Sequence, residues 1–184
     1  GIVRAASGWP NRIGEDIVLT WALLNEGYQI GHEPTAVGFT RVPVTYRAFF
    51  RQRQRWARGM IEALKSHLGI IWKRRRFASF FAAVNLLFPP LDLVFTLAFL
   101  PGVVLALFGY FYLAGVMTLL VLPLTALIVI VMLRYQKMVF DFLGLRIRRN
   151  ILGFFAYMLF YQFIVSPICV VGYTRELLNL EKKW

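Results

Sequence analysis

The sequence predicts the tail of an α/β domain, joined through a basic amphipathic helix to an α-helical membrane domain. Three observations carry this reading. The 184 residues are 59% apolar, above the roughly 45–50% of ordinary soluble domains. The excess is uneven: residues 1–78 mix polar and apolar types, and long uncharged runs begin at Ser79. Before those runs lies RQRQRWARG, residues 51–59, with four arginines and two glutamines in nine positions. That stretch is too polar for a bilayer core.

The elements follow in order. Residues 1–6, GIVRAA, read as a short strand, and SGWPN as a turn on Gly8, Pro10 and Asn11. In GEDIVLTWALLNEG, Ile17, Trp21 and Leu24 recur at helical spacing. Glu15 and Asp16 occupy the first turn, where the helix dipole favours acids, and Gly27 is a natural stop. YQIGHEP and TAVGFTRVP read as extended segments broken by Pro34 and Pro43. About 45 residues of this kind cannot bury a core alone. Residues 1–45 are therefore expected to be the end of a larger domain. Gly1 opens mid-pattern, without an initiator Met or signal peptide, so a longer parent protein is expected.

Thr45 can cap a helix from about Tyr46 to His67. Phe49, Trp56, Met60 and Leu64 lie near one face, and Arg47, Arg51, Arg55 and Arg58 form a basic stripe. Such a helix suits the headgroup layer, arginines toward lipid phosphate. With the connector Lys73, Arg74, Arg75 and Arg76 it makes a segment of residues 46–78. Residues 79–174 are expected to hold three membrane helices, near 91–113, 115–133 and 153–173, with a break at Pro89-Pro90 and a tail from 175 to 184. The loop 109–114 is uncharged, whereas 134–150 carries Arg134, Lys137, Arg146, Arg148 and Arg149 against Asp141. The positive-inside rule places 73–76 and 134–150 in the cytoplasm, and the C-terminus outside.

Net charge is +12, with 13 Lys/Arg against 5 Asp/Glu in residues 1–79 and 8 against 4 in 80–184. Such a balance suits anionic lipid or a phosphorylated substrate. Neither zinc-finger spacing nor an RNA-binding aromatic signature is present, so nucleic acid is not an expected partner. The lone Cys169, in an apolar run, excludes an internal disulfide and reads as a membrane-core residue. His32 has no partner ligands at useful spacing for a metal. Trp9 has two readings, packing or the acceptor entrance. Asp92, beside Pro89-Pro90, has two readings, a functional intramembrane acid or a cap at a membrane boundary, and the boundary position favours the cap.

Two features point to chemistry. One is Glu15-Asp16 at a helix start. The other is Gln52-x-x-Arg55-Trp56, which begins 36 positions after Asp16. A carboxylate can take a hydroxyl proton during group transfer. An arginine can neutralise a diphosphate leaving group. A tryptophan offers a flat face to a sugar ring. Together these are the parts needed to move a sugar from a nucleotide to an acceptor.

On GWP at 8–10, GEDIVLT at 14–20, EPTA at 33–36 and QRQRWARG at 52–59, the sequence resembles membrane-embedded, polymer-forming family 2 glycosyltransferases. These include poly-N-acetylglucosamine, hyaluronan, chitin and cellulose synthases, and the three spans after QxxRW look most like the first of them. The resemblance implies that residues 1–45 end a GT-A-like nucleotide-sugar domain. It implies Asp16 as general base with Glu15 beside it, and Gln52, Arg55 and Trp56 as substrate-binding residues, with no role assigned to Arg53. The amphipathic reading of the helix, separately, gives Arg51 and Arg58 to the headgroups. The implied activity is hexosyl transfer, expected of N-acetylglucosamine, from a UDP-sugar to a growing β-linked polysaccharide that is exported. The implied partners are that donor, the polysaccharide acceptor and membrane lipids, with accessory export subunits as further candidates. The implied place is the cell membrane, multi-pass, soluble part cytoplasmic.

The sequence departs from the family in one respect. Its three aspartates, Asp16, Asp92 and Asp141, form no DxD pair. The Mg²⁺ or Mn²⁺ expected of the full-length enzyme therefore has no ligands in this chain, and the chain alone is expected to be inactive. Two other readings stand beside this one. A non-processive transferase making a lipid-linked sugar would share the carboxylate but not QxxRW. A non-enzymatic membrane transport component would use neither.

Overall fold

A computed structural model describes residues 8–72, 76–115, 118, 121–146 and 150–180. The expected strand at 1–6, the basic residues Lys73, Arg74, Arg75, Arg148 and Arg149, and the last residues of the tail lie outside them. The chain forms two compact units. The first comprises residues 1–31, 41–94 and 165–184, the second residues 32–40 and 95–164.

In the first unit, α1 runs Glu15–Glu26 and α2 runs Tyr46–His67. Thr45 starts α2 as its sequence predicts: the backbone there is extended and the hydroxyl accepts from Ala48 N–H at 3.2 Å. Gly27 ends α1 at φ +104°, a conformation that a Cβ disfavours. A 3₁₀ stretch, Leu68–Trp72, follows α2, and α3 runs Arg76–Val94. The core gathers Val18 and Trp21 of α1, Ala57, Ile61 and Leu64 of α2, Ile70, Ala82 of α3 and Tyr173. Each fully buried large side chain contributes about 1.5–3 kcal/mol.

The second unit contains a π-helical segment Phe95–Phe99, α4 (Leu100–Leu107) and α5 (Val121–Phe142). The final helix, α6 (Ile151–Leu177), begins in the second unit and ends in the first. Phe163 meets Phe95 and Phe99 edge-on, at 5.7 and 6.3 Å between ring centroids. Three helical stretches, Ser79–Leu107, Val121–Phe142 and Ile151–Leu177, are long and apolar enough to cross a membrane. Leu124, Leu127 and Ile128 of α5 leave most of their surface open, as lipid-facing residues do.

Five expectations are corrected. First, no strand occurs among the described residues, and the segments after α1 are irregular. A strand needs a ladder partner, and Pro34 and Pro43 remove donors there. Second, Pro89-Pro90 does not break the chain, because α3 continues to Val94. Proline has a helical φ, and packing holds the next turn. Third, that packing makes Asp92 a tertiary ligand, not a cap: its carboxylate accepts from Ser166 Oγ and Tyr173 Oη, each at 2.8 Å. Fourth, residues 134–142 are helix, the end of α5, with Lys137 and Asp141 paired at 3.7 Å one turn apart. Fifth, the end of α6 does not face away from α2. Glu176 and the Leu180 carbonyl bond to α2, so the described C-terminal end lies on the same side as α2.

Candidate active site

The site is built where α1 begins against the middle of α2. Two glycines make this possible. A Cβ on Gly14 would sit 2.8 Å from Gly59 Cα, and one on Gly59 would sit 2.7 Å from Gly14 Cα. Backbone therefore meets backbone, and the acidic turn is drawn onto the QxxRW helix. Glu62, the only acid in α2, secures the contact: buried, it accepts from Ile13 N–H at 2.8 Å and from Arg12 Nη1 at 3.3 Å. A buried carboxylate with a backbone donor and a cationic partner is a strong tether.

The tether places Glu15, Asp16, Arg55 and Trp56 around one cavity of about 400 Å³, with Ile13, Ile17 and Met60 on its apolar side. Asp16 Oδ1 accepts from Ile17 N–H at 2.8 Å. Both acids are exposed, and Trp56 is 53% exposed, so part of its ring is open to a ligand. The Arg53 guanidinium lies over the Trp56 ring at 4.2 Å and near Phe49 at 5.1 Å. Arg53 thus fixes the tryptophan by a cation–π contact, a role that its sequence position did not suggest. Gln52 does not line this cavity. It lines a second one of about 390 Å³ on the other side of Arg55, with Arg41, Arg51 and Arg175.

Arg58 corrects another expectation. It does not serve headgroups: its side chain is 7% exposed, and Nε meets Glu176 Oε2 at 2.9 Å. Its Nη2 donates to Leu180 O at 2.8 Å, and Lys65 Nζ donates to Glu176 O at 2.7 Å. Gly172, one turn earlier, lets α6 approach so closely that a Cβ there would sit 2.7 Å from Ala57 Cβ. Trp9, at 63% exposure, is not a packing residue. Glu62, Glu176 and Arg175 were not singled out from sequence. The signal for Glu62 was its being the single acid in a basic helix; the other two had none.

His67, at the end of α2, is held below its ordinary pKa of 6.5 by burial and by the charge of Arg12. Thr35 hydrogen-bonds the Glu33 carboxylate within the EPTA stretch and lowers its pKa. For a divalent metal the fit is poor. Among the described residues no three His, Cys, Asp or Glu side chains gather closely enough to hold an ion, and the cavity around Asp16 is shared with a guanidinium.

Comparison with known proteins decides the family, because the model of glycosyl transferase family group 2 matches residues 1–171. The chain belongs to that family. It is 34% identical over 76 residues to the probable glycosyltransferase YdaM of Bacillus subtilis, a match covering 41% of this chain and 18% of that protein. It is 40% identical over 65 residues to the poly-beta-1,6-N-acetyl-D-glucosamine synthase of Staphylococcus aureus strain COL, covering 35% and 16% respectively. The chain thus spans under a fifth of the length of these relatives. No solved structure matches it.

Proposed function

We propose that this family 2 chain is the C-terminal part of a processive membrane glycosyltransferase. The full protein transfers a sugar, N-acetylglucosamine, from a UDP-sugar to a growing β-linked polysaccharide and helps export it. The observation that carries the reading is one shared cavity for the Asp16 carboxylate, the Arg55 guanidinium and the Trp56 ring.

In this reading the acceptor sugar stacks on Trp56, held flat by Arg53. Asp16 takes the proton from the acceptor hydroxyl as that oxygen attacks the anomeric carbon of the donor. The bond from that carbon to the diphosphate oxygen breaks, and the electron pair leaves with UDP. Arg55, lining both cavities, faces the charge that develops on the leaving group, where a fixed cation lowers the barrier. Glu15 adds negative charge beside Asp16, and Gln52 orients the donor. A divalent metal would be held by residues outside this chain. The protein is multi-pass in the cell membrane, with the α1–α2 unit cytoplasmic.

The test uses the full-length protein in membranes with labelled UDP-N-acetylglucosamine and UDP-glucose, supplied separately. High-mass polymer from the first donor, absent in Asp16→Asn, is the expected result. A single-sugar lipid product, or no product from correctly inserted protein, would replace this reading.

A further inference from the structure

Charges of both signs stand around the Asp16 cavity: Glu15 and Asp16 from α1, and Arg55 from α2. A carboxylate and a guanidinium that can reach each other tend to close into a forked pair. These have not closed. Among the described residues the ion pairs are Arg12–Glu62, Arg58–Glu176 and Lys137–Asp141, and none joins Arg55 to either acid. Asp16 turns one oxygen instead to the Ile17 N–H, at 2.8 Å. The separation has a chemical consequence. A carboxylate paired with an arginine is a poorer base, and an arginine so paired is less available to a leaving group.

What holds the charges apart lies further along α2. Ile13 N–H donates to Glu62 Oε2 at 2.8 Å, and the Gly14 backbone rests on the Gly59 backbone. The Gly14 carbonyl accepts from Val18 N–H at 2.8 Å, so α1 starts from that fixed point. The two glycines permit the close approach, but they have no side chains to interlock, so the Glu62 acceptor sets the register. Glu62 is a costly residue for this place. It is buried between Ile61 and Ala63, also buried, while its charged partner Arg12 is half exposed. Such a pair adds little stability, and an apolar side chain would fill the space with less desolvation.

We propose that Glu62 is a positioning residue for sugar transfer, holding the acidic turn so that Asp16 and Arg55 share one cavity without pairing. Its effect on rate rests on the transferase reading; the tether does not. Without the Glu62 oxygen the turn slides along α2, and Asp16 closes on Arg55.

The experiment compares the full-length wild type with Glu62→Leu and Glu62→Gln, with Glu62→Met replacing the Leu variant should that one not fold. Gln keeps an acceptor oxygen for Ile13 N–H; Leu and Met do not. Transfer is measured as kcat and donor KM across pH. Hydrogen exchange at the Ile13 amide is followed by mass spectrometry with electron-transfer fragmentation. In Glu62→Leu, kcat should fall by about 10²-fold, more than donor KM changes. The acid limb of its kcat profile should move down by about one pH unit or more, as Asp16 gains an arginine partner. Its Ile13 amide should exchange at least about tenfold faster. Glu62→Gln should stay close to wild type in all three. Wild-type kcat and acid limb in folded Glu62→Leu overturn the proposal, and so does a Gln variant as impaired as the Leu one. Full polymer yield from Glu62→Leu with none from Asp16→Asn would leave the transferase reading intact while removing the role of Glu62. If wild type transfers no sugar, the transferase reading falls and the Ile13 amide decides the tether. Slow exchange in wild type, lost in Glu62→Leu, sustains it; fast exchange in wild type overturns it.

Discussion

Removing Glu176 should unseat the end of α6 from α2, and the size of the effect follows from burial. Both side chains of the Arg58–Glu176 pair are 7% exposed and meet at 2.9 Å. Glu176→Ala leaves a guanidinium inside the protein without its carboxylate, which costs about 3–5 kcal/mol. At about 2–4 °C per kcal/mol for a chain of this size, the melting temperature falls by on the order of 10 °C. Lys65 does not compensate, since it donates to the Glu176 backbone carbonyl, which the substitution keeps. The double variant Arg58→Met/Glu176→Leu buries no charge and should lose far less than the sum of the single changes. The assay is thermal unfolding of the purified protein in one uncharged detergent, for Arg58→Met, Glu176→Leu and the double variant. Additive losses would refute the reasoning, because they would mean that the two charges do not depend on each other.

Asp16→Asn in the full-length protein should lower transfer by about 10²- to 10⁴-fold with donor binding unchanged, measured as kcat and donor KM. Gly59→Ala pushes a methyl to 2.7 Å from Gly14 Cα and should cost about 1–3 kcal/mol in thermal stability, while Gly69→Ala, with open space around it, serves as the control. The pH dependence of stability should carry a contribution from His67, whose folded pKa is depressed. Its stabilisation is present above the unfolded value of 6.5 and is lost as pH falls through the folded value, so His67→Gln should flatten the unfolding profile below pH 6.5.

Local signals in the sequence located α1 and α2 well. Thr45, the arginine stripe and Gly27 act within one or two turns of themselves, so their meaning survives without knowledge of the fold. The cavity with Asp16, Arg55 and Trp56 was legible only through motif resemblance, since 36 positions separate Asp16 from Gln52. Arg58 was misread because a basic stripe carries no record of a carboxylate 118 positions later. Asp92 was misread for a similar reason: Ser166 and Tyr173, its partners, lie on a distant helix. The continuation of α3 through Pro89-Pro90 shows tertiary packing overriding a local break signal. The absence of a ladder in the described residues after α1 reflects the opposite case, because β-propensity forms nothing without a neighbouring strand.

The bonds between α2 and the end of α6 also set a parity. Ala82 near the start of the first apolar helix and Tyr173 near the end of the last share one core with α2. A chain that leaves one face of a bilayer and returns to it has crossed an even number of times. Three helices are long and apolar enough to cross, by length and composition. The Val121–Phe142 helix has the lowest hydropathy of the three, 1.5, and carries Arg134, Lys137 and Asp141 in its length. By composition it is the weakest candidate of the three for a crossing.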